Sequence, residues 1–342
     1  MHMTDALLSP AVALTMDAIS IAAVGVTVVK VRKDEFSEKK IPIMGVAGAM
    51  VFAAQMINFS IPATGSSGHI GGGILLAGLL GGVPAFISIT AVLIIQCLFF
   101  ADGGLLALGC NIFNMGVIPC LLVYPLVFKP LIKKSVGFKR LSIASVLSAV
   151  VGLEIGAFCV VLQTLLSGIA LLPFAAFSAL MLPIHLVIGL IEGAVTAAIL
   201  CFIYEMRPEI IETALSGDRL SGVPIKRSII ILAALAVLAG GALTFIASSK
   251  PDGLEWAVGK TVEQAYGADT ELTAEGVVFD VAASIQENTA IIPGYTLTHD
   301  PDDAADMSAA GIIGAVITFT LAGAAGLVIS VAKKRKRAAA DV

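Results

Sequence analysis

The sequence predicts an all-α polytopic membrane protein with about nine transmembrane helices, its N-terminus outside and its C-terminus in the cytoplasm. Three observations predict this. Of 342 residues, 58% are hydrophobic and 13% are charged, whereas soluble domains run about 45–50% apolar and about 25% charged. Apolar runs near the length of about 20 residues that a bilayer core demands recur along the chain. Counted as nine helices, those runs place all but two of the 21 basic residues on one side, the side that short cytoplasmic loops mark by their Lys and Arg. The same composition excludes a disordered chain.

The runs lie at 9–30, 41–58, 70–82, 84–100, 111–128, 141–166, 173–204, 228–247 and 308–332, the third being short and Gly-rich. Basic clusters follow the first run (Lys30, Arg32, Lys33, Lys39, Lys40) and the fifth (Lys129, Lys133, Lys134, Lys139, Arg140). Others lie between the seventh and eighth (Arg207, Arg219, Lys226, Arg227) and close the chain at 333–337. Lys250 and Lys260 alone fall outside, in a segment, 249–307, that carries twelve acidic residues. That acidity either serves solubility or concentrates cations through its field. The expected domains are a metal-binding bundle (1–205), a cytoplasmic linker (206–227), a two-helix module (228–332) and a basic tail (333–342).

Met1-His2-Met3 lacks the basic flank and cleavage site of a signal peptide, and His2 should protect Met1 from removal. A free amine on Met1, the His2 amide and the His2 ring then offer three nitrogens in fused small chelate rings. A fourth nitrogen would complete a plane, the geometry of Ni(II) or Cu(II). The alternative is an ordinary start with an incidental His2. His69, in the Gly-rich Thr64–Gly73 stretch, lies on the same outer side. It is either the fourth donor or a histidine hydrogen-bonded in a buried loop. Gln55, Asn58 and Ser60 stand ready to satisfy such a loop.

Met1-His2 with Leu8-Ser9-Pro10, residues 52–59 (Phe-Ala-Ala-Gln-Met-Ile-Asn-Phe), Gly65–His69, Asp102–Leu105 with 107–115, and His185–Gly193 together resemble the CbiM/NikM family. These are the substrate-binding membrane components of energy-coupling-factor transporters for cobalt and nickel. Pro251–Glu255 resembles the PDGLE accessory domain found fused to that family. The resemblance implies metal held by Met1 (amine), His2 (amide and ring) and His69. It also implies an ABC-type importer in which two cytoplasmic ATPases and a transmembrane coupling subunit drive uptake across the cytoplasmic membrane. Where the family continues Ile-Pro-Asp/Glu-Gly, this chain has Met3-Thr4-Asp5-Ala6.

Supporting roles around that site fall to Gln55, Asn58, Ser66, Ser67, Asp102, Asn111 and Asn114, since ligating histidines are oriented by hydrogen bonds from neighbours. Asp102 is expected to cap the fifth helix, and Asn111 and Asn114 either brace the site or pair helices. His185 and Glu192, seven residues apart on the seventh helix, share a face; a structural role is preferred to a proton or cation route, with Glu154 as a candidate partner. His299, among acidic neighbours, reads as a surface histidine.

No G-x-x-x-x-G-K-[ST] loop occurs, so the chain is expected to be no enzyme and to leave ATP hydrolysis to its partners. Metal is its substrate, with no permanent cofactor and no nucleic-acid partner. Nickel is favoured over cobalt; the near alternative is cobalt import for cobalamin biosynthesis. Two rivals are an intramembrane serine protease using Ser67 and His185, which would need hydrogen-bond reach between them, and a metal sensor or storage protein.

Overall fold

The computed structural model describes residues 2–33, 40–170, 172–217, 225–267, 270, 272–298 and 304–338. Residues 2–8 enter the protein first, with one 3-10 turn at Asp5–Leu7. Met3, Leu7 and Leu8 are fully buried. Helix α1 (Pro10–Lys33) is followed by α2 (Lys40–Gln55), then by a hairpin of β1 (Phe59–Ile61) and β2 (Ser66–Gly68). The short α3 (Gly73–Leu80) precedes α4 (Gly82–Phe100), α5 (Leu108–Ile132), α6 (Phe138–Ser167) and α7 (Phe174–Met206). Helices α8 (Pro208–Ser216), α9 (Lys226–Ile246), α10 (Gly253–Tyr266), α11 (Val277–Thr289) and α12 (Ala304–Ala338) complete the chain.

Among the described residues seven helices, α1, α4, α5, α6, α7, α9 and α12, are long and apolar enough to cross a membrane. The two other expected runs are helical but shorter, 16 residues in α2 and eight in α3. Both are almost wholly buried, and burial in protein relieves a helix of the need to span the hydrocarbon alone. Three features went unpredicted: the hairpin, α8 in the expected linker, and the two amphipathic helices α10 and α11 in the acidic segment.

Helix α5 opens into wide π turns over Phe113–Phe128, a stretch holding Pro119 and Pro125. Proline lacks the N–H and clashes with the preceding carbonyl turn, and wide turns absorb both. Small residues set the close crossings. A Cβ on Gly193 would lie 2.5 Å from Val146 Cα, which draws α7 onto α6. The glycine faces of α2 and α12 turn inward: Gly45 and Gly48 meet Phe319 and Thr318, and Gly311 crosses Gly240 of α9 backbone to backbone. Close van der Waals packing of this kind drives helix association in lipid. Helices α9 and α12 are thereby seated along α2, and α10 lies against the N-terminal half of α7.

Candidate metal site

The hairpin is short, and an isolated two-stranded ribbon is marginal. It is held by residues 248–251 along its edge. Ser67 N donates to Pro251 O at 2.8 Å, Ser67 Oγ to Lys250 O at 2.7 Å, and Ser248 N to Asn58 O at 2.7 Å. Ser60 Oγ donates to Ser248 Oγ at 2.8 Å. The turn between the strands uses a left-handed Gly65 (φ 79), a conformation glycine takes without a Cβ penalty. His69 follows directly after β2.

Met3 is seated by Asn111 on α5: Met3 N donates to Asn111 Oδ1 at 2.8 Å, and Asn111 Nδ2 donates to Met3 O at 3.2 Å. Gly104 N also donates to Met3 O, at 2.9 Å. His2 is thus carried to the hairpin, where its ring stacks on that of His69 with centroids 5.5 Å apart and planes 17° from parallel.

One chain of hydrogen bonds fixes the His2 tautomer. It starts at a group that can only accept. Gly71 O receives Gln55 Nε2 at 2.8 Å, so Gln55 Oε1 faces the other way and accepts Gln96 Nε2 at 2.9 Å. Gln96 Oε1 is then left to accept from His2 Nε2, at 3.2 Å. His2 therefore carries its proton on Nε2 and presents a lone pair on Nδ1, the nitrogen that closes a six-membered chelate ring with the residue's own amide. His69 Nδ1 lies 3.1 Å from Ile70 O, which can only accept. Burial, opposed in part by Asp102, pulls the His2 ring down from 6.5 to about 4. The ring is neutral at physiological pH, as a ligand must be.

Each ring has a carboxylate beside it. His2 Nδ1 lies 3.4 Å from Asp102 Oδ1, and His69 Nε2 lies 3.5 Å from Asp252 Oδ2. Asp102 does not cap α5, whose N-cap is Ala107. Asp5 Oδ1 instead accepts from Ala107 N, at 3.0 Å. Asp102 Oδ2 accepts from the Tyr295 hydroxyl. Asp252 caps α10 with Oδ1, which accepts from Leu254 N and Glu255 N. Burial opposes ionisation of Asp252, but surrounding electrostatic contacts, the backbone donor Glu255 N among them, outweigh it, and the carboxyl sits well below the usual range.

Glu192 holds the loop from below: Gly71 N donates to Oε2 at 2.8 Å and Gly72 N to Oε1 at 3.0 Å. Two donors on two oxygens suit an ionised carboxylate. His185 Nδ1 instead donates to Met181 O at 2.7 Å. Neither residue bonds to Glu154, whose Oε1 has no hydrogen-bond partner. Since Ser67 Oγ goes to Lys250 O and His185 to Met181 O, the protease pair is not formed. Asn114 exchanges hydrogen bonds with Gln163 of α6 at 2.8 and 3.1 Å, a helix pairing. Ser66 Oγ bonds Thr64 Oγ1 within the turn, and Asn58 enters through its backbone. A cavity of about 30 Å³ lies among His69, Asn114, His185, Glu192 and Asp252, room for about one water.

Of the expected metal donors, Met1 lies outside the described residues, as does His299. His2 and His69 are brought together. Among the described residues no group of three or more His, Cys, Asp or Glu side chains is placed to hold a metal. Sequence reasoning missed Gln96, Asp252, Gln286 and Tyr295. Only Asp252 carried a signal, its place in the Pro-Asp-Gly-Leu-Glu motif.

Residues 2–210 match the CbiM family, described as the cobalt uptake substrate-specific transmembrane region, and residues 226–331 match the PDGLE domain. A protein of Archaeoglobus fulgidus described as a fused nickel transport protein, NikMN, is 30% identical over 325 residues, 94% of this chain and 96% of that protein. The cobalt transport protein CbiM of Geobacter sulfurreducens is 27% identical over 208 residues, 58% of each chain. A crystal structure of a transition metal transporter, 29% identical, superposes with a TM-score of 0.53 over 63% of this chain and 98% of the other.

Proposed function

The chain belongs to the CbiM family of nickel and cobalt transport components, with a PDGLE domain behind it, and from that premise we propose that it is the substrate-binding component of an ATP-driven energy-coupling-factor importer. It captures Ni²⁺, in preference to Co²⁺, from the outer face of the cytoplasmic membrane. The donors are the Met1 amine, the His2 amide and ring, and His69. The observation that carries this reading is the seating of the N-terminus: residues 2–8 thread into the bundle and lay the His2 ring on His69 at 5.5 Å.

Nickel preference rests on the nitrogen-rich plane, since amide deprotonation is easier for Ni²⁺ than for Co²⁺. The distribution of Lys and Arg supports nine membrane helices, an outer N-terminus and a cytoplasmic tail. Residues 1–205 form the metal-binding bundle and residues 206–342 the accessory part. Two cytoplasmic ATPases and a coupling subunit supply the work. On inward release the amide regains its proton, which couples metal loss to a local protonation.

Metal content of detergent-purified protein with an untagged N-terminus tests this. Stoichiometric nickel is expected, retained over cobalt, and lost when one glycine is placed before Met1. Equal retention by the extended chain would remove the amino-terminal chelate from the proposal.

A further inference from the structure

We propose that the accessory domain completes the metal site: the Asp252 carboxylate supplies counter-charge to the bound divalent ion. The inference rests on the His2–His69 site proposed above.

Asp252 divides its two oxygens. Oδ1 is spent on the helix, accepting from Leu254 N at 2.8 Å and Glu255 N at 2.9 Å. Oδ2 points the other way, 3.5 Å from His69 Nε2, the nitrogen that the proposed chelate takes from that ring. Its position is held from both sides of the sequence. Lys250 O and Pro251 O are bonded to Ser67, two residues before His69. Next in sequence, Gly253 packs where any side chain would collide: a Cβ there would lie 2.8 Å from Ile188 Cδ1.

The same domain braces the other half of the site. The Tyr295 hydroxyl holds Asp102, which faces His2 Nδ1. Gln286 Nε2 donates to Gly103 O at 2.9 Å. A divalent ion on neutral imidazoles, an amine and one deprotonated amide keeps a net positive charge. Burying that charge unpaired is costly. Asp102 comes from the bundle and Asp252 from the accessory domain, so the bundle alone lacks one of the two flanking carboxylates.

The test is the Ni²⁺ dissociation constant of the full-length, untagged protein, measured by chelator competition, with thermal stability in parallel. D252N and D252S both keep an N-cap of normal quality and remove the charge. Loss of a partner in the shell around a metal site typically weakens affinity about 10–100-fold, and that loss is expected in both variants at unchanged melting temperature. D280N, an exposed charge on α11, is expected to bind as wild type. H69A is expected to abolish binding.

Wild-type affinity in D252N and D252S with H69A inactive would overturn the role of Asp252 and leave the site intact. Affinity lost only together with thermal stability in both variants would reduce Asp252 to a helix cap. An equal loss in D280N would replace the specific contact by a general field. Nickel retained by H69A would overturn this inference together with the site beneath it.

Discussion

Glu192 is the sharpest lever on the metal site that does not touch metal. Its carboxylate accepts Gly71 N at 2.8 Å and Gly72 N at 3.0 Å, and the residue is buried to 3% exposure. The E192Q substitution keeps the volume but replaces one acceptor oxygen by an NH₂ group that faces a backbone donor. One charge-assisted hydrogen bond is lost, about 1.5–3 kcal/mol for bonds of this kind. The loop cannot easily recover it elsewhere: Gly72 sits at φ 75, and a Cβ there would lie 2.4 Å from Val51. Freed from Glu192, residues 69–72 must be re-ordered when metal binds, so the loss appears in affinity. At 1.4 kcal/mol per factor of ten, Ni²⁺ binding should weaken about 10- to 150-fold. Chelator competition on untagged protein measures this, and a thermal melt reports the fold. Affinity within twofold of wild type, with the melting temperature lowered, would refute the reasoning and make Glu192 a purely structural lock.

Other expectations follow from the same geometry. N111A removes two of the three hydrogen bonds that seat the Met3 backbone, and about a tenfold loss of Ni²⁺ affinity is expected by analogy with outer partners of metal ligands; unchanged affinity would show the N-terminus is seated without it. Q96L breaks the chain from His2 to Gly71 and should let the His2 ring take either tautomer, visible as a second set of imidazole resonances in histidine-labelled protein. Burial keeps the His2 ring neutral down to about pH 4, whereas a released ring charges near 6.5. The contribution of this ring to seating the N-terminus is therefore complete above pH 6.5 and falls away towards pH 4; a titration midpoint near 6.5 in the folded protein would contradict it. G311L forces a side chain against Gly240, and overpacking of this kind costs about 1–3 kcal/mol, which should lower the melting temperature and loosen α12 from α9.

Much of the site was legible because its signals are local. Two histidines stand in short motifs, and glycines crowd around the second. Glu192 was expected to be structural because the resemblance places it outside the ligand set; its hydrogen bonds with Gly71 N and Gly72 N come only from the structure. The partners of His2 were not legible. Gln96 lies 94 positions away in an ordinary apolar helix, and nothing in its neighbours distinguishes it from a helix-pairing glutamine. Asp102 carried a capping signal that the fold did not use, since the backbone of residues 102–107 is occupied by Asp5 and Met3.

Composition and periodicity, taken by themselves, determined that this chain is a helical membrane protein. Apolar runs of bilayer length have few other stable fates, because every backbone polar group in lipid must be satisfied within the segment. Local chemistry likewise marked His2 and His69. Which groups each ring meets was decided only in three dimensions, by acceptors and carboxylates drawn from distant parts of the chain. The joining of the two domains was decided there too: α12 fits α2 and α9 through glycine surfaces, and that packing carries Asp252 and Tyr295 to the mouth of the site. A single sequence records which side chains are small or charged, but close packing decides which of them meet.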